Sequence, residues 1–352
     1  MGKVVSVIGI DISKRYFQLH GATADGEPVL RRKLTRSKVL AFLAGQPACR
    51  VVMEVCASAH YWGRMILGLG HEVCLIPPVY VKPYVKRQKN DANDAGAIVE
   101  AAQRPTMRFV TVRTEEEQAR SVLFRSRGLL VRQRTQTINA LRSHLAEFGL
   151  VVPLGIHNVE KLEEAFTACE EHFPAPAPPA IRLLIDRIGD LNAEIDELDR
   201  EIRRIVRDDE KLARLTTIPG VGELTAMAVH AFAPPMESFR NGRHFAAWVG
   251  LTPRETSTGG RQRLGRITKM GQRDIRRLLY LGATAVISSA VRRKEVTDPW
   301  LARMLNEKPR KVVAVALANR MARIIWAVTV KGESYRAPER RSPLPTAQQG
   351  CE

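Results

Sequence analysis

Two aspartates, Asp91 and Asp94, stand three residues apart in "QKNDANDAGAIVEA", where an apolar helical stretch begins beside Lys82, Lys86, Arg87 and Lys89. The plainest reading is capping, because acidic side chains at a helix start satisfy free N–H groups and complement the positive end of the dipole. Two further carboxylates change that reading. Asp11 ends the apolar run of "VIGIDISK", and Glu54 sits in "RVVMEVCAS" with apolar neighbours on both sides. A charge inside or ending a buried strand is unfavourable unless it has a partner or a metal. If these strands are neighbours and the helix packs its first turn against the same end, four carboxylates converge. Without metal they would repel and raise one another's pKa. With two divalent ions they become a phosphoryl-transfer site, one ion activating the nucleophile and the other stabilising the leaving oxygen. Oxygen-only ligands favour Mg²⁺ or Mn²⁺, and the basic flank would hold the backbone of a nucleic-acid substrate.

A second locus is "LTPRETSTGGRQRLGRITKMGQRDIRR", with eight basic residues from Arg254 to Arg277 against two acidic ones. Ser257, Thr258, Gly259 and Gly260 form a small loop inside it. Taken from the residues alone, this is a phosphate-gripping turn whose hydroxyls and N–H groups position DNA. A serine nucleophile needs a base or a metal, and the nearest histidine in sequence is His244. Arg261, Arg263, Arg266 and Lys269 are expected to contact phosphates. A third locus, Pro219-Gly220-Val221-Gly222, reads as the turn of a helix-hairpin-helix unit. There Gly220 and Gly222 would let backbone N–H groups approach a phosphate.

The elements that must position these groups are legible as patterns. "VVSVIGI", "YFQLHGAT" and "VLRRKLT" read as three strands joined by tight turns. Helix "SKVLAFLAGQ", strand "CRVVMEV", helix "AHYWGRMILGLG" and strand "HEVCLIP" follow, a mixed α/β order. A last strand is expected at "MRFVTV", before a long helix over 115–148 carrying Arg120, Arg125, Arg127, Arg132, Arg134 and Arg142. That helix is either a solvated basic face or one that faces nucleic acid. After the proline break "PAPAPP", Ile181, Leu184, Ile188, Leu191, Ile195, Leu198, Ile202 and Ile205 alternate at steps of three and four. The spacing predicts a coiled coil and self-association into a dimer or tetramer, the alternative being one amphipathic helix packed on its own domain. The domains are expected at 1–150, 151–210 and 211–333, with a disordered tail over 334–352.

Composition bounds the partners. The chain has 352 residues with 55 Lys+Arg against 37 Asp+Glu, a net charge of +18. Such a surplus argues for a polyanion. No apolar run of membrane-spanning length stands out, and no secretory signal opens the chain. Cys49, Cys56, Cys74, Cys169 and Cys351 are scattered without ligand spacing, so a reducing cytoplasm is the expected setting.

"GIDISK", "VVMEVCAS" and "KNDANDA" resemble the D, E and D-x-x-D blocks of the DEDD transposases. These belong to the bacterial insertion-sequence family called one-ten, and the wording is closest to its one-eleven-eleven subgroup. "IPGVG" and "FAAWVGLTPRETSTGGRQRLGRITKMGQRDIRRLL" resemble the family's C-terminal transposase domain, so the likeness runs from about residue 5 to 330. It implies an α/β first domain like that of the junction resolvase RuvC, a ribonuclease-H-like fold. A helical coiled-coil middle and a mostly α C-terminal domain with a helix-hairpin-helix would follow. It also implies that Asp11, Glu54, Asp91 and Asp94 hold Mg²⁺ and that a C-terminal serine attacks DNA to form a phosphoserine link. The corresponding residue is Ser257, with Thr258 the competing assignment. A structured RNA encoded at the element's end would guide the enzyme to its DNA. The rival readings are a stand-alone junction resolvase using only the carboxylates, and a non-catalytic nucleic-acid-binding scaffold.

Overall fold

The computed structural model describes residues 4–85, 91–293 and 295–337, the side chains of residues 91 and 92 excepted. The expectations for Lys86, Arg87, Lys89, the Asp91 side chain and the tail from 338 with Cys351 lie outside the described residues. Two compact units divide the chain, Met1–Gln118 and Ala119–Glu352.

In the first unit, alternation along each strand assigns residues to two layers. The strands are β1 (Val7–Asp11), β2 (Tyr16–Ala22), β3 (Pro28–Thr35), β4 (Arg50–Glu54) and β5 (Glu72–Ile76). With them run the helices α1 (Val39–Ala44), α2 (Ala59–Leu67), α3 (Pro78–Val81) and α4 (Asp91–Ala102). Ile8, Ile10, Val51, Met53 and Leu75 face one way and pack with Phe17, Leu43, Trp62 and Ile66. Val7, Val52, Cys74 and Ile76 face the other way and are covered by Ala97, Ile98, Ala101 and Ala102 of α4. The strand order is β3-β2-β1-β4-β5. β1, β2 and β3 form the expected antiparallel meander, and β1, β4 and β5 run parallel. This mixed sheet with helices on both faces is consistent with a RuvC-like fold.

The strand expected at "MRFVTV" is a correction. Only Val110 bridges the sheet, its N–H donating to the Leu75 carbonyl at 2.7 Å. The flanking chain is held by α2 instead. Val112 fills the space over Gly63, where a Cβ would meet Val112 Cγ2 at 2.8 Å, and the Arg113 N–H donates to His60 Nδ1 at 3.2 Å.

The second unit begins within α5 (Glu115–Ala146). The start of this helix is a reciprocal cap: Thr114 N–H donates to Glu117 Oε2 at 2.9 Å and Glu117 N–H to Thr114 Oγ1 at 3.1 Å. Next come α6 (Val159–Thr167) and α7 (Ala177–Asp208), which takes Pro178 and Pro179 into its first turn, where no N–H is missed. α5 and α7 are antiparallel. Arg120 pairs with Asp209, Arg127 with Asp199, and Arg134 with Asn192. Ile138, Leu141 and Leu145 of α5 share a core with Ile181, Ile185 and Ile188 of α7, and with Leu162 and Phe166 of α6.

This arrangement corrects the coiled-coil expectation. The buried positions of α7 are Ile181, Ile185, Ile188, Leu191, Ile195, Ile202 and Val206, while Leu184, Leu198 and Ile205 are half-buried. Ile195 and Ile202 are each only 2% exposed within a single chain. The apolar stripe packs inside its own protomer because a tethered helix reaches it before a second copy can.

The rest of the unit comprises α8 (Glu210–Thr216), α9 (Glu223–Phe232), α10 (Gly242–Val249), the hairpin β6 (Pro253–Glu255) and β7 (Leu264–Ile267), α11 (Arg273–Arg293), α12 (Pro299–Glu307) and α13 (Arg310–Lys331). Asp209, Asn241 and Asp298 cap α8, α10 and α12 through backbone N–H groups. By length and composition α13 is apolar enough to cross a membrane. Its Val313, Leu317, Met321 and Ile325, however, are buried in one core with Phe245 of α10 and Leu279 of α11.

Candidate active-site residues

Asp11 and Glu54 come together through strand register. β1 and β4 are parallel neighbours with Ile10 opposite Met53, so the next residue of each, Asp11 and Glu54, ends its strand side by side. Period two puts both on the face covered by α4. The helix can approach there because residue 9 is glycine: a Cβ on Gly9 would sit 2.6 Å from the Ala95 carbonyl oxygen and 2.6 Å from Val99 Cγ2. Asp94 immediately precedes Ala95, which brings its carboxylate to the same end of the sheet. Electrostatics register this convergence. Burial raises the pKa of Glu54, and the charges of Asp11 and then Asp94 push it further up. The thiol of Cys56, two residues on, is likewise raised by burial and by Glu54 and Asp11. Asp91 is the first residue of α4.

Among the described residues, no three His, Cys, Asp or Glu side chains form a ready-made metal cage. The donor chemistry nonetheless fits a hard divalent cation: Asp11, Glu54 and Asp94 offer only oxygen, and their mutual repulsion is what such an ion relieves. Gly9 is the positioning residue that the sequence reading missed, although an interior strand glycine often marks a close backbone approach.

The serine loop is the tip of the β6–β7 hairpin. Gly259 and Gly260 take φ of +56° and +74°, the pair of left-handed residues that a two-residue hairpin turn needs. Thr258 and Arg261 exchange backbone hydrogen bonds of 3.1 and 3.3 Å across that turn, and Thr256 N–H donates to the Arg263 carbonyl at 2.9 Å. Ser257 and Glu255 therefore share one face of the strand, and Thr258 lies on the other with Arg261 and Arg263. Ser257 Oγ donates to Glu255 Oε1 at 2.6 Å and accepts the Arg263 N–H at 3.3 Å. Glu255 is a second residue the sequence reading missed, since the pairing needs the strand to be known first. Arg261, Arg263 and Arg266 are exposed along the hairpin, and Lys269 follows it with φ +54°.

The base of the hairpin is fixed. A Cβ on Gly250 would lie 1.9 Å from the Met270 oxygen, and one on Gly271 would lie 1.7 Å from the Trp248 oxygen. Arg276 Nη1 donates to the Val249 carbonyl at 2.8 Å. The turn between α8 and α9 is different again. Gly220 has φ +83° and presses on Gly282 of α11, with a Cβ 2.8 Å from its oxygen, so packing explains that glycine. A Cβ on Gly222 would meet nothing within 4 Å.

The arginines of α5 are a correction to the nucleic-acid-facing helix. Besides the pairs with Asp209, Asp199 and Asn192, Arg142 donates to the carbonyls of Val152, Pro153 and Gly155, and Arg125 lies over the Phe232 ring at 5.4 Å. Arg132 stays exposed. The long helix spends most of its positive charge inside the chain.

A sheet that gathers acidic side chains at one end and a hairpin that exposes arginines are together suited to chemistry on a polynucleotide. Residues 8–149 match the DEDD transposase profile of the IS110 type, described as "Transposase", and residues 212–297 match the profile described as "Transposase IS116/IS110/IS902 family". A probable family 20 transposase of Pseudomonas aeruginosa is 46% identical over 94% of this chain and 99% of its own. The transposase for insertion sequence element IS1328 of Yersinia enterocolitica is 41% identical over 94% and 98%. That for IS1111A of Coxiella burnetii is 35% identical over 95% and 92%. The chain belongs to the IS110 family of insertion-sequence transposases, DNA-binding enzymes that cut and rejoin DNA. DEDD transposases are generally metal-dependent.

Proposed function

We propose that this transposase divides its chemistry between its two units. Asp11, Glu54, Asp91 and Asp94 hold Mg²⁺ or Mn²⁺, and Ser257 is the nucleophile that forms a covalent link to the DNA strand. The observation that carries this reading is the meeting of Asp11 and Glu54 in register beneath the start of α4, with the Glu54 carboxyl raised by its acidic neighbours. When bound, divalent ions supply neutralisation of charge on the scissile phosphate and on the leaving oxygen. The chain's own residues do the rest. Asp11, Glu54 and Asp94 fix the ligand oxygens on rigid strand and helix ends, Ser257 offers its hydroxyl, and Arg261, Arg263, Arg266 and Lys269 grip phosphates. Gly222, at the open side of the α8–α9 turn, fits a further phosphate contact. Between the two hydroxyls, Ser257 is favoured over Thr258 because its Oγ is held by a carboxylate and a backbone N–H.

The family resemblance adds an element-encoded guide RNA and assembly into a dimer or tetramer, which the buried stripe of α7 does not mediate in this reading. It also gives a bacterial, nucleoid-associated setting in the cytoplasm, in keeping with the free thiols of Cys49, Cys56, Cys74 and Cys169. The test uses the full chain with its co-purifying RNA, Mg²⁺ and duplex DNA carrying the element's ends. A protein–DNA adduct on denaturing gels should map by mass spectrometry to the peptide containing "ETSTGG". Ser257→Ala should remove the adduct and leave DNA bound. Asp11→Ala should remove it as well. Efficient cutting by the Ser257→Ala/Thr258→Ala chain, with no adduct from the native one, would favour a resolvase that uses the carboxylates alone.

A further inference from the structure

The hairpin supplies something that the serine assignment lacks, a group to take the serine proton. A hydroxyl is a weak nucleophile at neutral pH and gains strength when a base removes its proton as the new bond forms. Glu255 ends β6 and Ser257 follows two residues on, where the hairpin pairing continues through Thr256–Arg263 and Thr258–Arg261, so their side chains leave the same face. Ser257 Oγ–H points at Glu255 Oε1 across 2.6 Å, within the reach required of a general base. The Arg263 N–H, at 3.3 Å from the same Oγ, restrains the hydroxyl from the opposing strand. The turn glycines maintain this geometry, because the Thr258–Arg261 pairing fixes which residues face which.

We propose that Glu255 is the general base for Ser257 in strand cleavage and the general acid when the strand is rejoined, an inference that rests on Ser257 being the nucleophile. In cleavage, the Oγ–P bond forms while a P–O bond to the sugar breaks, and the serine proton passes to Glu255 Oε1. The departing sugar oxygen takes a proton from water. Glu255 is exposed, so it returns its own proton to water and the count closes. In rejoining, Glu255 first takes a proton back from water, the sugar hydroxyl attacks the serine phosphodiester and releases its own proton to water, and Glu255 protonates Oγ as the P–Oγ bond breaks, so the count closes again. Thr258, on the opposite face of the strand, has no such relation to Glu255.

The experiment measures the initial rate of adduct formation by the full chain with its co-purifying RNA, Mg²⁺ and duplex DNA carrying the element's two ends. Glu255→Gln can still accept the serine hydrogen bond but cannot take a proton, so the rate should fall by about 10²- to 10⁴-fold. DNA binding in a gel shift should be unchanged. Glu255→Ala should be slow as well, and millimolar to molar formate should restore part of its rate in proportion to concentration, which a merely structural role would not allow. A native rate for Glu255→Gln, lost DNA binding, or no rescue by formate overturns the role of Glu255, while loss of the adduct in Ser257→Ala leaves the serine reading standing. Cutting by the native chain without any adduct at Ser257 overturns both.

Discussion

Asp11 and Glu54 stand at the ends of strands whose other residues are largely buried, whereas Ser257 stands on a hairpin whose strands are exposed along nearly their whole length. The sheet holds its carboxylates from below: core packing on both faces fixes register, and register fixes which side chains meet. The hairpin tip has no such support. Its geometry comes from two glycines with positive φ and from a base clamped at Gly250 and Gly271. In the proposed reading, the ligands of a shared ion are thus set by tertiary packing, and the attacking hydroxyl is set by turn chemistry.

The largest effect should come from the packed end. Asp11→Ala, Glu54→Ala or Asp94→Ala should each reduce strand cutting by about 10³-fold or more, and combining them should add little, because groups acting on one centre fail as a unit. Circular dichroism and DNA binding should remain close to native. A double Asp91→Ala/Asp94→Ala chain that melts yet keeps cutting would reduce those residues to caps.

Two glycine substitutions sharpen the contrast. Gly9→Ala forces a Cβ against Ala95 and Val99 and should destabilise the chain by about 1–3 kcal/mol. If Mg²⁺ binds as proposed it should protect the native chain from heat, and because α4 carries Asp94 that protection should be lost in Gly9→Ala. Gly260→Ala meets open space and carries only the backbone penalty of positive φ, about 1 kcal/mol. Its melting temperature should hardly move while adduct formation slows, and Gly260→Asn should recover the rate, since asparagine tolerates this conformation. Equal thermal effects at positions 9 and 260 would erase the distinction.

The smallest expected effect is electrostatic. Glu54 has a raised pKa in the folded, metal-free protein, so its contribution to stability is present below the ordinary carboxylate range, about pH 4. It is lost as the pH rises through the raised value. Asp11→Asn removes one of the repelling charges. The melting temperature of that variant, relative to native, should therefore be unchanged in acid and higher toward neutral pH when metal is chelated, with the gap closing as Mg²⁺ is added. A gap that does not vary with pH would mean the carboxylates do not interact.

Much of the first unit was legible because alternating burial writes register into sequence. Asp11 and Glu54 were identifiable as charges where the pattern called for apolar residues, and the β-β-β-α-β-α-β-α order followed from turn signals. "MRFVTV" misled because a β-branched run can lie across a helix as readily as in a sheet, and Val112 over Gly63 shows which won. The stripe on α7 was visible but its partner was not, since heptad spacing is the same for a partner helix in the same chain or in another. The α5 arginines were misread for a related reason. α5 carries six arginines and three glutamates, and α7 six arginines and eight acidic residues, so the pair is nearly neutral within a chain of net charge +18. Glu255 was hidden because residues two apart meet only on an extended strand.

The clamp at Gly250 and Gly271 has a mechanical consequence. Backbone lies directly on backbone there, so the joint where the hairpin leaves the core has no soft side chain to yield and no room for a hinge. Compliance must increase toward the tip, where a Cβ on Gly259 or Gly260 would touch nothing within 4 Å. Such a beam resists swinging but allows its end to flex. If the hairpin meets DNA as proposed, the DNA must do most of the bending, and DNA that kinks easily at the crossover step should be handled faster than stiff DNA of equal affinity.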